Sequence, residues 1–356
     1  MDQPDCVHWC ISLKRRKDRR FIIDRSFPSW LREQIRFWEA VDARQLGGRK
    51  ARAAKLEQMD ARAYAVRLSK LKLLREFLST DASFLCMYED DVCILDGFQA
   101  MLETAMQTSD DWDVFFLGGI HHEFPTGTGS ILQCVNTYAN HCLLFNREGA
   151  RKLKQLLVAM PRHCRWSDRE LAAAVEAQEI RALCPAKFVV GIRANLSDNT
   201  ADFLNGRRFY SEELAAGLGP DDAHLLHFAV RQGERVLQIG KGPSTGLLRA
   251  RTNDFHQVSA MAQVTEGLLD GSNGMVLSTD SLLAKKSLDL VSLEELPNQE
   301  LWSAVQENHR HGGLLIMRPW FAEQMAERLR VYRFEFNTPI RSAPGEPQGF
   351  CVYLRK

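Results

Sequence analysis

Short apolar runs alternate along the first two hundred residues with longer stretches whose apolar positions recur every three or four residues. Val7-His8-Trp9-Cys10-Ile11-Ser12-Leu13 is short and partly β-branched, which predicts a buried strand. Phe21-Ile22-Ile23 and Trp30-Leu31 suggest a helix, and Phe37-Trp38-Glu39-Ala40-Val41 a second strand. Residues 50–80 read as helix, with Ala65, Leu68, Leu71, Leu74 and Leu78 at helical spacing. A third strand over 84–88 ends in Glu89-Asp90-Asp91-Val92, and a helix follows over 98–106. A fourth strand over 113–119 ends in Gly118-Gly119. Residues 121–129, rich in Gly, Pro and Thr, read as loop. A strand near 141–145, helices over 148–160 and 171–178, and a strand over 188–191 complete the series. Strands alternating with helices predict an α/β fold with a largely parallel sheet, whose ligands sit at the carboxyl ends of the strands.

The pattern breaks over 207–222, where Gly217, Gly219 and Pro220 cluster, and then restarts. A helix over 225–230 leads to a strand over 235–239 and the turn Gly240-Lys241-Gly242-Pro243-Ser244-Thr245-Gly246. Further strands are expected over 274–277, 288–293 and 313–317, with a terminal hairpin over 332–336 and 350–354. The expected domains are residues 1–215 and 222–356.

Composition narrows the class. At 356 residues two domains are the default, and 45% hydrophobic with 26% charged residues is globular. The 46 Lys+Arg balance 45 Asp+Glu, so no chain-wide field gathers polyanions. No apolar run of membrane-spanning length occurs, and the N-terminus lacks a secretory layout. The nine cysteines form no Cys-x-x-Cys pair and sit in apolar runs. Free buried thiols in a reducing cytoplasm are expected.

Two charged clusters carry the candidate chemistry. Glu89, Asp90 and Asp91 are adjacent carboxylates at a strand end, where they repel unless a divalent cation or hydrogen-bond donors compensate them. Hard oxygen ligands suit Mg²⁺ or Mn²⁺, completed by substrate phosphates. The alternative is a solvated acidic turn. The run from Lys14 to Arg20 follows the first strand and offers forks for phosphate oxygens. Its alternative is a helix start facing water. Taken together they point to a phosphate-bearing ligand held with a metal along one sheet edge.

These residues, in this order, resemble glycosyltransferase family 25, the group of the lipopolysaccharide and collagen galactosyltransferases. The matching segments are Ile11-Ser12-Leu13-Lys14-Arg15 through Arg19, Phe37-Trp38-Glu39-Ala40-Val41-Asp42, the helix holding Ser69, and Glu89-Asp90-Asp91-Val92. Trp112-Asp113 through Gly118, the strand from Leu143 to Ala150, Asp168 and Ser197-Asp198 follow. The likeness spans roughly residues 6–200. It departs at Lys70, where the family has a His, and at Asn199 after Ser197-Asp198.

The resemblance implies a Rossmann-like GT-A fold and metal-dependent transfer from a UDP-sugar to a glycan hydroxyl in lipopolysaccharide-type biosynthesis. A protein or nucleic-acid acceptor stays open beside the basic run and Arg207-Arg208. In that frame Asp91 and Glu89 hold the metal. Leu13, Arg15, Arg19, Glu89, Asp90, Ser197 and Asp198 contact the donor. Asp168 is the base that takes the acceptor proton; its alternative is a helix cap. His121, His122 and His141 are lesser acid–base or metal candidates.

The second domain resembles the class I methyltransferases. The resemblance rests on Val236-Leu237-Gln238-Ile239-Gly240-Lys241-Gly242-Pro243-Ser244-Thr245, Asp280, Leu288-Asp289-Leu290-Val291, His311-Gly312-Gly313 and the terminal hairpin. That implies a second Rossmann-like sheet and S-adenosylmethionine as a cofactor. Ser244 stands where a third glycine is expected, and Gln238 where an acid is expected. Residues 258–261 supply no ribose-binding acid. A scaffold or acceptor-binding role is therefore set beside a bifunctional glycosyltransferase–methyltransferase and a non-catalytic binding protein.

Overall fold

The computed structural model describes residues 5–46, 61–109, 111–159, 166–196, 198, 203–204, 206–211, 213–258, 264–265, 268–270, 276–278, 288–338, 342–343, 346–347 and 350–356. The chain divides into two units, Met1–Arg207 and Arg208–Lys356.

In the first unit β1 (Cys6–Ser12) leads to α1 (Lys17–Ser26), α2 (Ser29–Gln34) and β2 (Ile35–Glu39). Then come α3 (Ala61–Ser79), β3 (Phe84–Glu89), β4 (Val92–Ile94), α4 (Phe98–Gln107), β5 (Val114–Glu123), β6 (Ile131–Gln133) and β7 (Asn136–Asn146). The helices α5 (Arg147–Ala159) and α6 (Ser167–Glu176) precede β8 (Ala182–Pro185), β9 (Val190–Ile192), β10 (Asn195–Leu196) and β11 (Phe203–Leu204).

Seven strands form one sheet in the order β2-β1-β3-β7-β5-β8-β6. β2, β1 and β3 are parallel, and β5 is parallel to β8. β7 runs against both β3 and β5, and β6 against β8, so the expected parallel sheet has one reversed strand in its middle and another at its edge. Its strands are apolar on both faces because helices cover both. Trp9, Met87, Phe116 and Leu143 pack with Leu73, Leu74 and Phe77 of α3 on one side. Cys10, Tyr88, Phe115 and Leu144 pack with Ile23, Leu31, Phe98 and Leu102 on the other.

β5 does not end at the glycines. It runs on to Glu123 through three register shifts, so His121–Glu123 are strand where a loop was expected. Gly118 is needed for close approach rather than for a turn, since a Cβ there would lie 2.5 Å from the Val190 carbonyl oxygen. β8 escaped notice because four residues ending in proline give almost no periodic signal.

In the second unit α7 (Pro220–Ala229), β12 (Val236–Ile239), α8 (Ser244–Arg251) and β13 (Phe255–Val258) are followed by the small sheet β14 (Val264–Thr265), β15 (Leu268–Asp270) and β16 (Val276–Ser278). Then come β17 (Leu288–Leu293), α9 (Gln299–Asn308), β18 (His309–Met317), α10 (Pro319–Gln324), β19 (Tyr332–Asn337), the ribbon β20 (Ser342–Ala343) and β21 (Glu346–Pro347), and β22 (Cys351–Arg355). The main sheet is ordered β13-β12-β17-β18-β22-β19. The first four strands are parallel, and β22 is inserted antiparallel between β18 and β19. This is a Rossmann-like sheet, built around Leu237, Val291, Trp302 and Leu315.

Both units are therefore α/β, as the alternation predicts. The eight described cysteines are free, and seven of them are buried. Among the described residues no helix is long and apolar enough to cross a membrane.

Candidate active site

Because β1, β2, β3 and β5 point the same way, their carboxyl ends share one edge of the first sheet. The basic run meets the acidic turn there. α1 begins at Lys17, which turns Arg16 and Arg19 inward on one helical face; they are 2% and 6% exposed. The run is thus water-facing only in part, at Lys14, Arg15 and Lys17. The acidic turn is not solvated, since Asp90 and Asp91 are each 7% exposed.

The two clusters are joined by ion pairs. An Arg19 Nη donates to Asp90 Oδ1, and the same nitrogen lies 3.7 Å from Asp91 Oδ2. Its other Nη donates to Asn195 Oδ1 at 2.6 Å. Arg16 forks onto Asp18 at 2.8–3.2 Å and also donates to Asp198. Arg15 bridges Asp42 at 3.0 Å and Asp198 at 2.5 Å. Burial opposes ionisation of Asp198, but Arg16, Arg19 and Arg15 outweigh it and hold its carboxyl below the usual range. The sequence-expected residues Arg15, Arg19, Asp90, Asp91 and Asp198 therefore converge.

Asp91 differs from its neighbour. Its Oδ2 accepts from Asn195 at 3.3 Å, while its buried Oδ1 has no hydrogen-bond partner among the described residues. Glu89 is more open, with Oε2 3.9 Å from His141 Nδ1, itself a buried atom without a partner. Among the described residues no three His, Cys, Asp or Glu side chains are grouped to hold a metal ion. One orphaned carboxylate oxygen still fits a cation that takes its remaining ligands from substrate phosphates and water.

Asp168 is in the first turn of α6, but the N-cap position is Trp166. The Asp168 carboxylate accepts from the Arg169 amide at 3.0 Å and from the Ala139 amide at 3.3 Å. The second contact ties it to β7 at a residue with φ of +58°, two positions from His141. On an extended strand that is roughly 7 Å. Leu13 directly follows β1, and its carbonyl accepts from the Arg16 amide at 2.9 Å. Ser197 lies outside the described residues. His121 is taken up by Thr137 at 2.8 Å and by stacking on Phe188, and burial lowers its pKa. His122 faces the Tyr138 ring edge-on.

Sequence reasoning missed Arg193 and Asn195. β4 pairs with β9, which carries Arg193 under the acidic turn. The Arg193 guanidinium donates to the carbonyls of Asp90 and Val92 at 2.8 and 3.0 Å. Burial lowers its pKa, and Asp91 offsets that. The available signal was Arg193-Ala194-Asn195 directly after an apolar strand. Arg16 was legible from helical spacing with Arg19.

Residues 7–166 match the model for glycosyltransferase family 25 (LPS biosynthesis protein). The matched stretch is under half the chain. It holds Leu13, Arg15, Arg19 and Glu89 to Asp91, while Asp168 and Asp198 lie beyond it. It gives the first unit a glycosyltransferase-family segment. No curated protein matches.

Solved structures match in part. Protein A197 from STIV has 10% identity and a TM-score of 0.32, covering 58% of this chain and 96% of its own. A predicted O-methyltransferase, protein Atu636 from Agrobacterium tumefaciens, has 16% identity and a TM-score of 0.25, covering 38% and 80%. The O-methyltransferase TomG from Streptomyces achromogenes, involved in tomaymycin synthesis and solved with SAM, has 18% identity and a TM-score of 0.24, covering 39% and 82%. Scores this low add nothing to the folds read from the strands.

The glycine turn of the second unit is filled from within. Gly240 has φ of +84°, and a Cβ there would meet Glu295 Cγ at 2.5 Å. A Cβ at Gly242 would meet Glu294 Cδ at 2.5 Å. The Glu294 carboxylate accepts from the Ser244 hydroxyl, and from the Ser244 amide at 3.2 Å. It thus occupies the N-terminus of α8. Arg318 lies 3.7 Å from it. Gln238 spends its amide on Ser244 at 2.8 Å. Asp280 and residues 259–261 lie outside the described residues.

Proposed function

We propose that the first unit is a metal-dependent glycosyltransferase that moves a sugar from a UDP-sugar to a glycan hydroxyl, on a GT-A arrangement. The observation that carries this reading is the buried Asp91 Oδ1, orphaned beside guanidiniums at the carboxyl edge of the sheet. A family 25 segment across the same residues supports it.

Asp91, with Glu89 beside it, would hold Mn²⁺ or Mg²⁺; the ion when bound neutralises the donor diphosphate. Arg15 and Arg16 already grip the Asp198 carboxylate, which stands in for a phosphate oxygen in charge and shape. Asp168 takes the acceptor proton as the acceptor oxygen bonds to the sugar C1. The C1–O bond to the diphosphate breaks, and its electron pair leaves with the diphosphate. The Ala139 and Arg169 amides fix the carboxylate without neutralising it.

The second unit serves this reading as a scaffold or acceptor-binding domain, because Glu294 and Glu295 fill the turn an adenosyl cofactor would approach. The test is hydrolysis of a UDP-sugar panel by the full chain with and without Mn²⁺, with calorimetry of UDP and S-adenosylmethionine. Mn²⁺-dependent release of UDP and no S-adenosylmethionine binding are expected. Binding of both makes the protein bifunctional, and binding of neither refutes catalysis.

A further inference from the structure

Lys70 is a buried charge that the mechanism above leaves unused. It lies on α3, 3% exposed. Among the described residues its ammonium makes one hydrogen bond, to Ser167 Oγ at 3.2 Å. Among the described residues no carboxylate pairs with it. An ammonium has three donors, so two remain unspent in the interior. Burying a cation without a counter-charge is costly, and folded proteins pair such groups. Several buried cations of this unit obey that rule. Arg16 has Asp18 and Asp198, Arg19 has Asp90, and Lys152 has Asp113 at 2.7 Å.

The place of Lys70 gives the exception its meaning. The neighbouring Ser69 hydroxyl accepts from the Val41 amide at 2.8 Å, just past the carboxyl end of β2. Asp42, the next residue, binds Arg15. Ser167 immediately precedes Asp168. Lys70 is therefore tied through the neighbouring Ser69 to the carboxyl end of β2 and through Ser167 to the residue before Asp168. The Ser167 hydroxyl accepts from Lys70 and keeps its own proton to donate. A cation and a hydroxyl held together next to the proposed base form half of an oxyanion-binding pair.

We propose that Lys70 and Ser167 bind an oxyanion, a carboxylate or phosphate, carried by the sugar substrate. The protein then selects an acidic sugar over its neutral counterpart. This rests on the glycosyltransferase reading and extends it to substrate class.

The test compares wild type with Lys70→Met, which keeps the volume and removes the charge, by calorimetry in Mn²⁺. A donor arm uses UDP, UDP-glucose and UDP-glucuronate. An acceptor arm uses glucose, glucuronate and glucose 6-phosphate on the UDP-loaded protein. The acid-bearing sugar in one arm should bind wild type at least tenfold more tightly than the neutral one, about 1.4 kcal/mol. The arm that shows it identifies the carrier. Lys70→Met should erase the ratio, leave UDP affinity unchanged, and hold or raise Tm. If that variant does not fold, Lys70→Gln gives the same comparison. Equal binding in both arms, or a ratio that survives the substitution, overturns the proposal. A fall in Tm with the ratio intact assigns Lys70 to structure and also overturns it. Failure of UDP itself to bind removes the glycosyltransferase reading instead.

Discussion

Asp90 and Asp91 are adjacent, equally buried and chemically identical, yet their Asp→Asn variants should fail in opposite ways. Asp90 and Arg19 form a pair whose side chains are 9% and 7% exposed, so solvent screens it little. Removing one partner of a buried pair costs about 3–5 kcal/mol. Here Asn195 Oδ1 at 2.6 Å and Asp91 Oδ2 at 3.7 Å still face Arg19, which puts the cost near the lower end, roughly 3 kcal/mol. For a unit of this size that lowers Tm by roughly 6–12 °C. Asp91→Asn forfeits no hydrogen bond at Oδ1 and only a long, 3.7 Å approach of Oδ2 to Arg19, which keeps Asp90 and Asn195. Its stability cost should be about 1 kcal/mol or less, while Mn²⁺-dependent UDP-sugar hydrolysis falls by about 100-fold or more. Thermal melts by near-UV circular dichroism and Mn²⁺ titrations of turnover measure both. An Asp91→Asn protein that melts as early as Asp90→Asn, or that keeps the wild-type Mn²⁺ dependence, refutes the division of labour.

Asp168→Asn should abolish transfer to acceptor while leaving UDP affinity within about twofold, since the side-chain amide oxygen still accepts from one of the two backbone N–H groups that hold the carboxylate; a UDP affinity that collapses with it, in calorimetry, makes Asp168 a structural residue. Glu294→Gln weakens the cap on α8 and should lower the Tm of the second unit without creating S-adenosylmethionine binding, because Glu295 still covers Gly240; calorimetric binding of the cofactor to wild type would contradict this. Burial lowers the His8 pKa from 6.5 to about 4. The unfolded chain therefore takes the proton first, and stability present above pH 6.5 is lost as the pH falls towards 4, by roughly 3 kcal/mol. Urea midpoints should drop across that window, and less so in His8→Gln. Gly149→Ala should destabilise the first unit by more than about 1–3 kcal/mol, since its Cβ would strike the Asp113 carbonyl backbone; an unchanged Tm would show that α5 shifts freely.

Much of the first unit was legible because its strands are long, apolar on both faces and punctuated by charge. β1 and β3 fall where their apolar runs do, and the acidic turn ends β3 as its polarity requires. β2 was placed two residues late because Ala40-Val41 continue its apolar run after its pairing with Ser12 at Glu39 has ended. β7 looked like another parallel strand because the period of the pattern is blind to strand direction. The glycines of β5 read as a stop, whereas their lack of side chains lets β9 approach. The charged site was legible as two clusters but not as a network. No local rule brings Asp198, Arg193 or Asn195 against residues a hundred or more positions earlier; that follows from the pairing of β4 with β9. Lys70 was hidden for a different reason. A lysine on an amphipathic helix normally reads as surface, and only the packing of α3 and α6 shows that it is enclosed.

The charge balance at this edge bears on why a divalent cation would be needed at all. Arg15, Arg16, Arg19 and Arg193 meet Asp18, Asp42, Asp90, Asp91 and Asp198. The carboxylates outnumber the guanidiniums by one before Glu89 is counted. A basic patch waiting for phosphate would show the reverse. A diphosphate arriving alone adds negative charge to a negative edge and must displace Asp198 from the Arg15–Arg16 fork to reach its donors. The same diphosphate arriving with a divalent ion brings compensating charge to the one buried oxygen that has none, Asp91 Oδ1. On the proposed reading, the arginines would exchange their internal partners only for a metal–phosphate pair, which offers both signs at once and favours the charged complex over either ion separately.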